Sequence, residues 1–216
     1  TSGSAALSAS LHRAFAEACD VSSDGILPFI TTDNAARDMD LLRAILGDRE
    51  LHYLGYSYGT LLGQIYAELF PSKTGRLVLD GAVDPAATDF EGTLTQAQGF
   101  ESALSSFLAD CGAISDCPFT GSVDESLVEI RTLLDTLDAS PLRSDDGRLL
   151  GSSAMFTAII LPLYNQGNWQ YLRQLFSEVF RGDASYAFQL ADNYNGRNPD
   201  GTYRDNQTEA FISINC

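Results

Sequence analysis

The sequence predicts an α/β protein, with part of a parallel sheet first and a mostly helical region after it. Three observations predict this. Residues 32 to 81 alternate between helix-like and strand-like segments. The run Gly55-Tyr56-Ser57-Tyr58-Gly59 stands between an apolar strand and an apolar helix. Beyond about residue 85 the strand signals fade and helical stripes take over, so the chain divides into 1–85 and 86–216.

The elements follow in order. TDNAARDMDLLRAIL, residues 32 to 46, carries Ala35/Ala36, Met39, Leu42 and Leu46 at helical spacing. Thr32 or Asp33 is expected as its N-cap and Gly47 as its stop. LHYLG reads as a short buried strand, and YGTLLGQIYAELF as a helix with Leu62, Ile65, Tyr66 and Leu69 on one stripe, ended by Pro71. RLVLDG, residues 76 to 81, is a continuous apolar run, the pattern of a strand buried on both faces. Helix, strand, helix, strand implies parallel strands joined by crossovers. Later, Phe100, Ala103, Leu104, Phe107 and Leu108 make one stripe. Ser122 and Glu125 form a capping box ahead of Leu127, Ile130, Leu134 and Leu137. Asn168 is expected to cap a helix carrying Trp169, Leu172, Phe176 and Val179, which Gly182 ends. Asn198-Pro199-Asp200-Gly201 reads as a turn.

Apolar residues make up 44% of the 216, enough for a real core. Thirteen basic against twenty-nine acidic residues give a net charge of -16, which argues against nucleic acid as a partner because phosphate contacts need clustered Lys and Arg. Lys73 is the only lysine, and no mechanism attaches to it at this level. No apolar run approaches the ~20 residues of a membrane span; the longest, AMFTAIILPLY, is interrupted by Pro162. TSGSAALSAS at the start has no charged n-region, so the chain is expected to be a mature product or a piece of a longer protein.

Cys111 and Cys117 flank a short loop. A disulfide there would contribute about 2 kcal/mol by chain-entropy arithmetic and would indicate an oxidising, extracytoplasmic setting. Zinc fits poorly, since no further ligand lies nearby at the right spacing; two buried thiols are the remaining alternative. Cys19 and Cys216 are left to pair with each other or outside the chain. The Asp- and Asn-rich segment 192–209 fails the calcium-loop spacing, because aligning Gly196 or Gly201 leaves no acid at the first or last position. Asn206-Gln207-Thr208 is a formal glycosylation triplet and is read as solvated loop. No cofactor or metal is expected.

Gly55 to Gly59 match the G-x-S-x-G pattern of a nucleophile elbow, and the strand before and helix after it supply the required context. So sharp a turn forces the serine into a strained conformation, and side chains two residues to either side would collide. Ser57 is therefore the expected nucleophile, with the Tyr58 backbone N–H as an oxyanion donor. A serine needs a base, and the chain holds two histidines, His12 and His52. His52 lies about 16 Å back along the strand, His12 precedes the core strands, and no histidine follows Ser57.

The stretch from Thr31 to Pro85 resembles the elbow region of secreted bacterial tripeptidyl aminopeptidases, relatives of the proline iminopeptidases among the α/β-hydrolases. FLADC…DCPF and AFISINC resemble that family's cap and its exit to the core; the likeness covers roughly residues 28 to 216. The resemblance implies a partial α/β-hydrolase core in 1–85 and a helical cap in 86–216. It implies a serine peptidase that removes short peptides or residues from free N-termini through an acyl-enzyme on Ser57. The catalytic Asp and His would lie in core segments outside this chain, which alone is expected to be inactive. It places a Cys111–Cys117 disulfide in the cap, with Cys19 and Cys216 pairing beyond the chain's ends. The alternatives are an esterase or lipase-like enzyme of the same capped fold, and a non-catalytic binding protein that kept the elbow.

Overall fold

The computed structural model describes residues 2–215. The chain forms two compact units. One holds the chain through Gly92 and returns at Asn206; the other is Thr93–Asp205. The division falls a few residues past the change of texture near residue 85, inside a helix.

In the first unit, α1 (Ser2–Ser22) is followed by α2 (Thr32–Leu46), β1 (Leu51–Tyr56), α3 (Tyr58–Leu69) and β2 (Thr74–Asp80). The strands pair in parallel, from Leu51 opposite Thr74 to Tyr56 opposite Asp80. Thr31, rather than the expected Thr32 or Asp33, is the N-cap of α2; its side chain accepts from the Asn34 N–H. Thr32 and Asp33 fall in the first turn. Gly47, at φ 79°, ends the helix as expected.

The apolar run of β2 is not buried on both faces. Leu77 and Leu79 are half-buried, whereas Val78 is 57% exposed, and on the same side of β1 Leu54 and Tyr56 are 55% and 62% exposed. α3 covers only the face bearing Tyr53, Gly55 and Leu79, so burial alternates with the pleat.

Under α3 lies a polar node. The Asp40 carboxylate accepts from Arg43 Nε at 2.8 Å, from Lys73 Nζ at 2.7 Å and from Tyr66 Oη at 3.2 Å. Arg43 also donates to the Asp48 carbonyl. These bonds join α2, α3 and the short 3-10 turn Pro71–Lys73, and they use the only lysine. The Arg43 hydrogen bond first, and then that of Lys73, lower the Asp40 carboxyl to about 2.

The second unit is built from α4 (Asp89–Cys111), which begins in the first, with α5 (Val123–Ala139), α6 (Ser152–Leu163), α7 (Trp169–Phe180) and α8 (Ser185–Tyr194). Its core is fully buried at Phe107, Leu137, Leu150, Met155, Leu172, Leu175 and Phe176. Phe100, Ala103 and Leu104 of the expected stripe pack against it. The Ser122–Glu125 capping box is formed. Asn168 stands at the N-cap of α7, but its side chain makes no capping bond; Asn165 accepts from Gly167 instead. Gly182, at φ 84°, follows the helix end. Pro162 does not interrupt α6, because it sits in the last turn.

A two-residue antiparallel pair, β3 (Leu142–Arg143) and β4 (Leu149–Leu150), was not anticipated. It is held to α8 by Arg148, which donates to both Asp192 oxygens at 2.8 and 2.9 Å and stacks over Phe188. Asn198–Gly201 turns as its chemistry requires, with Gly201 N–H donating to the Asn198 carbonyl. A last helix, α9 (Gln207–Asn215), groups with the first unit.

Cys111 and Cys117 form a disulfide. Cys19 carries a free, half-buried thiol; Cys216, the other expected pairing partner, lies outside the described residues. Among the described residues no helix is long and apolar enough to cross a membrane.

Candidate active site

Ser57 occupies the turn between β1 and α3 at φ 50°, ψ −121°, a region that residues other than glycine rarely adopt and that costs about 1–3 kcal/mol. Packing explains why the chain turns there with glycines on either side. A Cβ on Gly55 would meet the Gly59 carbonyl oxygen at 2.5 Å and Tyr53 Cε1 at 2.7 Å, and one on Gly59 would meet Tyr53 Oη at 3.0 Å. Gly55 has no room for a side chain, and one at Gly59 would press on the Tyr53 hydroxyl.

The strained turn is bonded from several sides. Ser57 N–H donates to the Asp80 carbonyl at 3.1 Å, tying the turn to the end of β2. Thr60, fully buried, donates from Oγ1 to the Ser57 carbonyl at 2.6 Å and accepts from Val83 N–H at 2.9 Å. Gln64 Nε2 donates to the Val83 carbonyl at 2.9 Å. One hydroxyl and one amide thus hold the segment after β2 against the elbow. Tyr58 Oη shares a 2.8 Å hydrogen bond with Thr32 Oγ1, which couples the residue after Ser57 to the start of α2. Pattern matching found the glycines, Ser57 and Tyr58. It missed Tyr53, Thr60, Gln64 and Thr32, whose contacts are made in the folded chain.

The Ser57 side chain is exposed. As the first residue of α3, Tyr58 carries an amide with no intrahelical acceptor. A hydroxyl above a helix N-terminus suits attack on a carbonyl whose developing charge the amide can receive. The two histidines are not brought to it. His52 Nδ1 accepts from the Arg76 N–H at 2.9 Å, and His12 lies exposed on α1. Among the described residues no side chain hydrogen-bonds to the Ser57 hydroxyl, and no three His, Cys, Asp or Glu side chains gather as metal ligands.

Two clefts of about 330 and 360 Å³ lie in the second unit, one lined by Tyr171, Tyr186 and Gln189, the other by Asp135, Asp138 and Phe156. Neither is lined by Ser57. Backbone chemistry, not cavity size, marks the elbow as the candidate site.

Comparison with known proteins agrees with this geometry. The alpha/beta hydrolase fold family matches residues 15–150, which include the elbow and both strands of the parallel pair. The chain is 39% identical over 206 residues to the serine protease Hip1 of Mycobacterium tuberculosis, covering 91% of this chain and 39% of that protein. It is 38% identical over 208 residues to carboxylesterase B of the same organism, covering 95% of this chain and 40% of that protein. To the tripeptidyl aminopeptidase of Streptomyces lividans it is 32% identical over 175 residues, covering 80% of this chain and 32% of that protein. The chain therefore spans two fifths or less of the length of these relatives, and it belongs to the α/β-hydrolase fold family.

Proposed function

We propose that the protein is a serine hydrolase that removes short peptides or single residues from free N-termini, with Ser57 as nucleophile and the Tyr58 N–H as an oxyanion donor. The observation that carries this reading is the exposed serine at φ 50°, ψ −121° in a strand-to-helix turn closed to any side chain at Gly55 and tight at Gly59. The names of two relatives, a serine protease and a tripeptidyl aminopeptidase, support it. In this reading a His lying outside residues 1–216 takes the Ser57 proton as the oxygen attacks the scissile carbonyl. The tetrahedral intermediate collapses with protonation of the leaving amine, and water then releases the acyl group. An Asp, also outside this chain, orients that His.

Exposed Leu54, Tyr56 and Val78 support further core segments on that face of the sheet. The second unit, Thr93–Asp205, takes the part of a cap that restricts access to chain ends. The Cys111–Cys117 disulfide supports an extracytoplasmic location in a bacterium. A second reading, a carboxylic-ester hydrolase, draws on the likeness to carboxylesterase B.

The test is made on the full-length gene product. A fluorophosphonate probe is expected to label Ser57, and Ser57→Ala is expected to lose labelling and at least about 10³-fold in turnover. A tripeptide amide with a free amine should be cleaved faster than its N-acetylated form and faster than a short acyl ester. Preference for the ester moves the assignment to the esterase reading. A full-length product that neither labels nor turns over either substrate makes it a binding protein on a hydrolase fold.

A further inference from the structure

Tyr53 occupies a slot made by glycines. Its ring lies where a Cβ on Gly55 would approach Cε1 to 2.7 Å and one on Gly63 would approach Cδ1 and Cε1 to 2.9 Å; its hydroxyl lies 3.0 Å from where a Cβ on Gly59 would stand. Gly59 and Gly63 are four residues apart and share a face of α3, and Gly55 faces them from β1. The phenol at the end of the slot donates to the Gly59 carbonyl at 2.8 Å.

This bond falls on the first turn of α3, two residues beyond Ser57 and one beyond Tyr58. Strained backbone persists only where its surroundings over-determine it. Asp80 and Thr60 hold the turn through Ser57 itself, and Thr32 holds Tyr58 through its side chain. Tyr53 alone among these fixes the turn through the backbone beyond the serine. Burial first, and then the neighbouring Tyr58, push the Tyr53 phenol above its ordinary value, which keeps it a neutral donor through the neutral range.

We propose that Tyr53 is a positioning residue for the elbow: its ring, seated against Gly55, Gly59 and Gly63, and its hydroxyl, bonded to the Gly59 carbonyl, set the first turn of α3 so that the Ser57 hydroxyl and the Tyr58 amide address the same carbonyl. It does not touch substrate. The inference rests on the reading of Ser57 as nucleophile.

The experiment measures, in the full-length gene product, the second-order rate constant for fluorophosphonate labelling of Ser57, together with kcat and KM for a peptide amide. Tyr53→Phe keeps the ring in its slot and removes one donor. Its labelling constant and kcat are expected to fall about three- to tenfold with KM unchanged. The constants are compared under conditions where circular dichroism shows each variant fully folded, so a loss of stability alone would leave them unmoved. Replacement of Tyr53 by p-aminophenylalanine, which restores a donor on the same ring, is expected to recover most of the rate, and it decides the matter should the Phe variant not fold. Wild-type rates in Tyr53→Phe, or no recovery with the amino analogue, overturn the inference. Failure of the wild-type protein to label overturns the nucleophile reading instead.

Discussion

The two units bury their apolar residues very differently. In Thr93–Asp205 one cluster from Phe107 to Leu190 is closed to solvent, with Phe119 and Phe176 ring to ring at 4.9 Å. Among the described residues of the first unit the fully enclosed side chains are few, Ala36, Tyr66 and Thr60, while Leu41, Leu42, Ile45 and Leu46 of α2 and the outer face of the sheet stay exposed. The helical unit satisfies itself. The unit that carries the candidate site adds directed polar bonds, those of Asp40, Thr60, Tyr53 and Tyr58. The candidate turn is therefore shaped locally, by hydrogen bonds and glycine contacts.

Trp169, the only tryptophan, lies in the second unit, so its fluorescence reads that unit alone while circular dichroism reads both. The largest effect is expected from Leu175→Ala. Deleting a fully buried side chain there should cost about 2–5 kcal/mol, seen as a lower urea midpoint by Trp169 fluorescence. Next comes Cys111→Ser with Cys117→Ser, which should cost about 2 kcal/mol in the same signal. Loss of the Asp40 contribution in acid is a smaller effect. The Asp40 carboxyl is lowered from 3.8 to about 2 on folding, so its contribution is present above the unfolded value and is lost as pH falls from about 4 through about 2. Circular dichroism should show a loss over that window which Asp40→Asn reduces; the remainder belongs to carboxylates lowered by their own hydrogen bonds, Glu91 in the first unit and Glu125, Asp138, Asp146, Asp183 and Asp200 in the second. Smallest of all, Leu54→Ser in the 216-residue chain should change stability by no more than about 0.5 kcal/mol. If instead Leu54→Ser proves as damaging as Leu175→Ala, the contrast between the units collapses.

What could be read from the sequence was what neighbours along the chain decide. Gly47, the Ser122–Glu125 box and the Asn198–Gly201 turn are local devices, and the elbow shows itself by glycine spacing between a strand and a helix. The cysteine pair, six residues apart, is nearly as local. Contacts across the fold left no such trace. Lys73 looked like a quirk of composition because its partner, Asp40, is thirty-three residues away. β3 and β4 have two residues each, too short for an alternation to register. The cap of α2 is Thr31, whose extended backbone precedes the first helical residue, while Thr32 bonds to Tyr58 on another helix. β2 misled for a different reason: a continuous apolar run records what a strand is suited to meet on both faces, whereas in this chain α3 meets only one.

The slot around Tyr53 has a consequence for how such sequences diversify. A methyl group on residue 63 and an aromatic ring at residue 53 claim the same space, since the Cβ would come within 2.9 Å of the ring. The two positions should therefore vary as a pair across the family. Lineages with alanine ten residues after position 53 should carry a smaller aliphatic side chain there, and lineages that keep the tyrosine should keep glycine at all three places it touches.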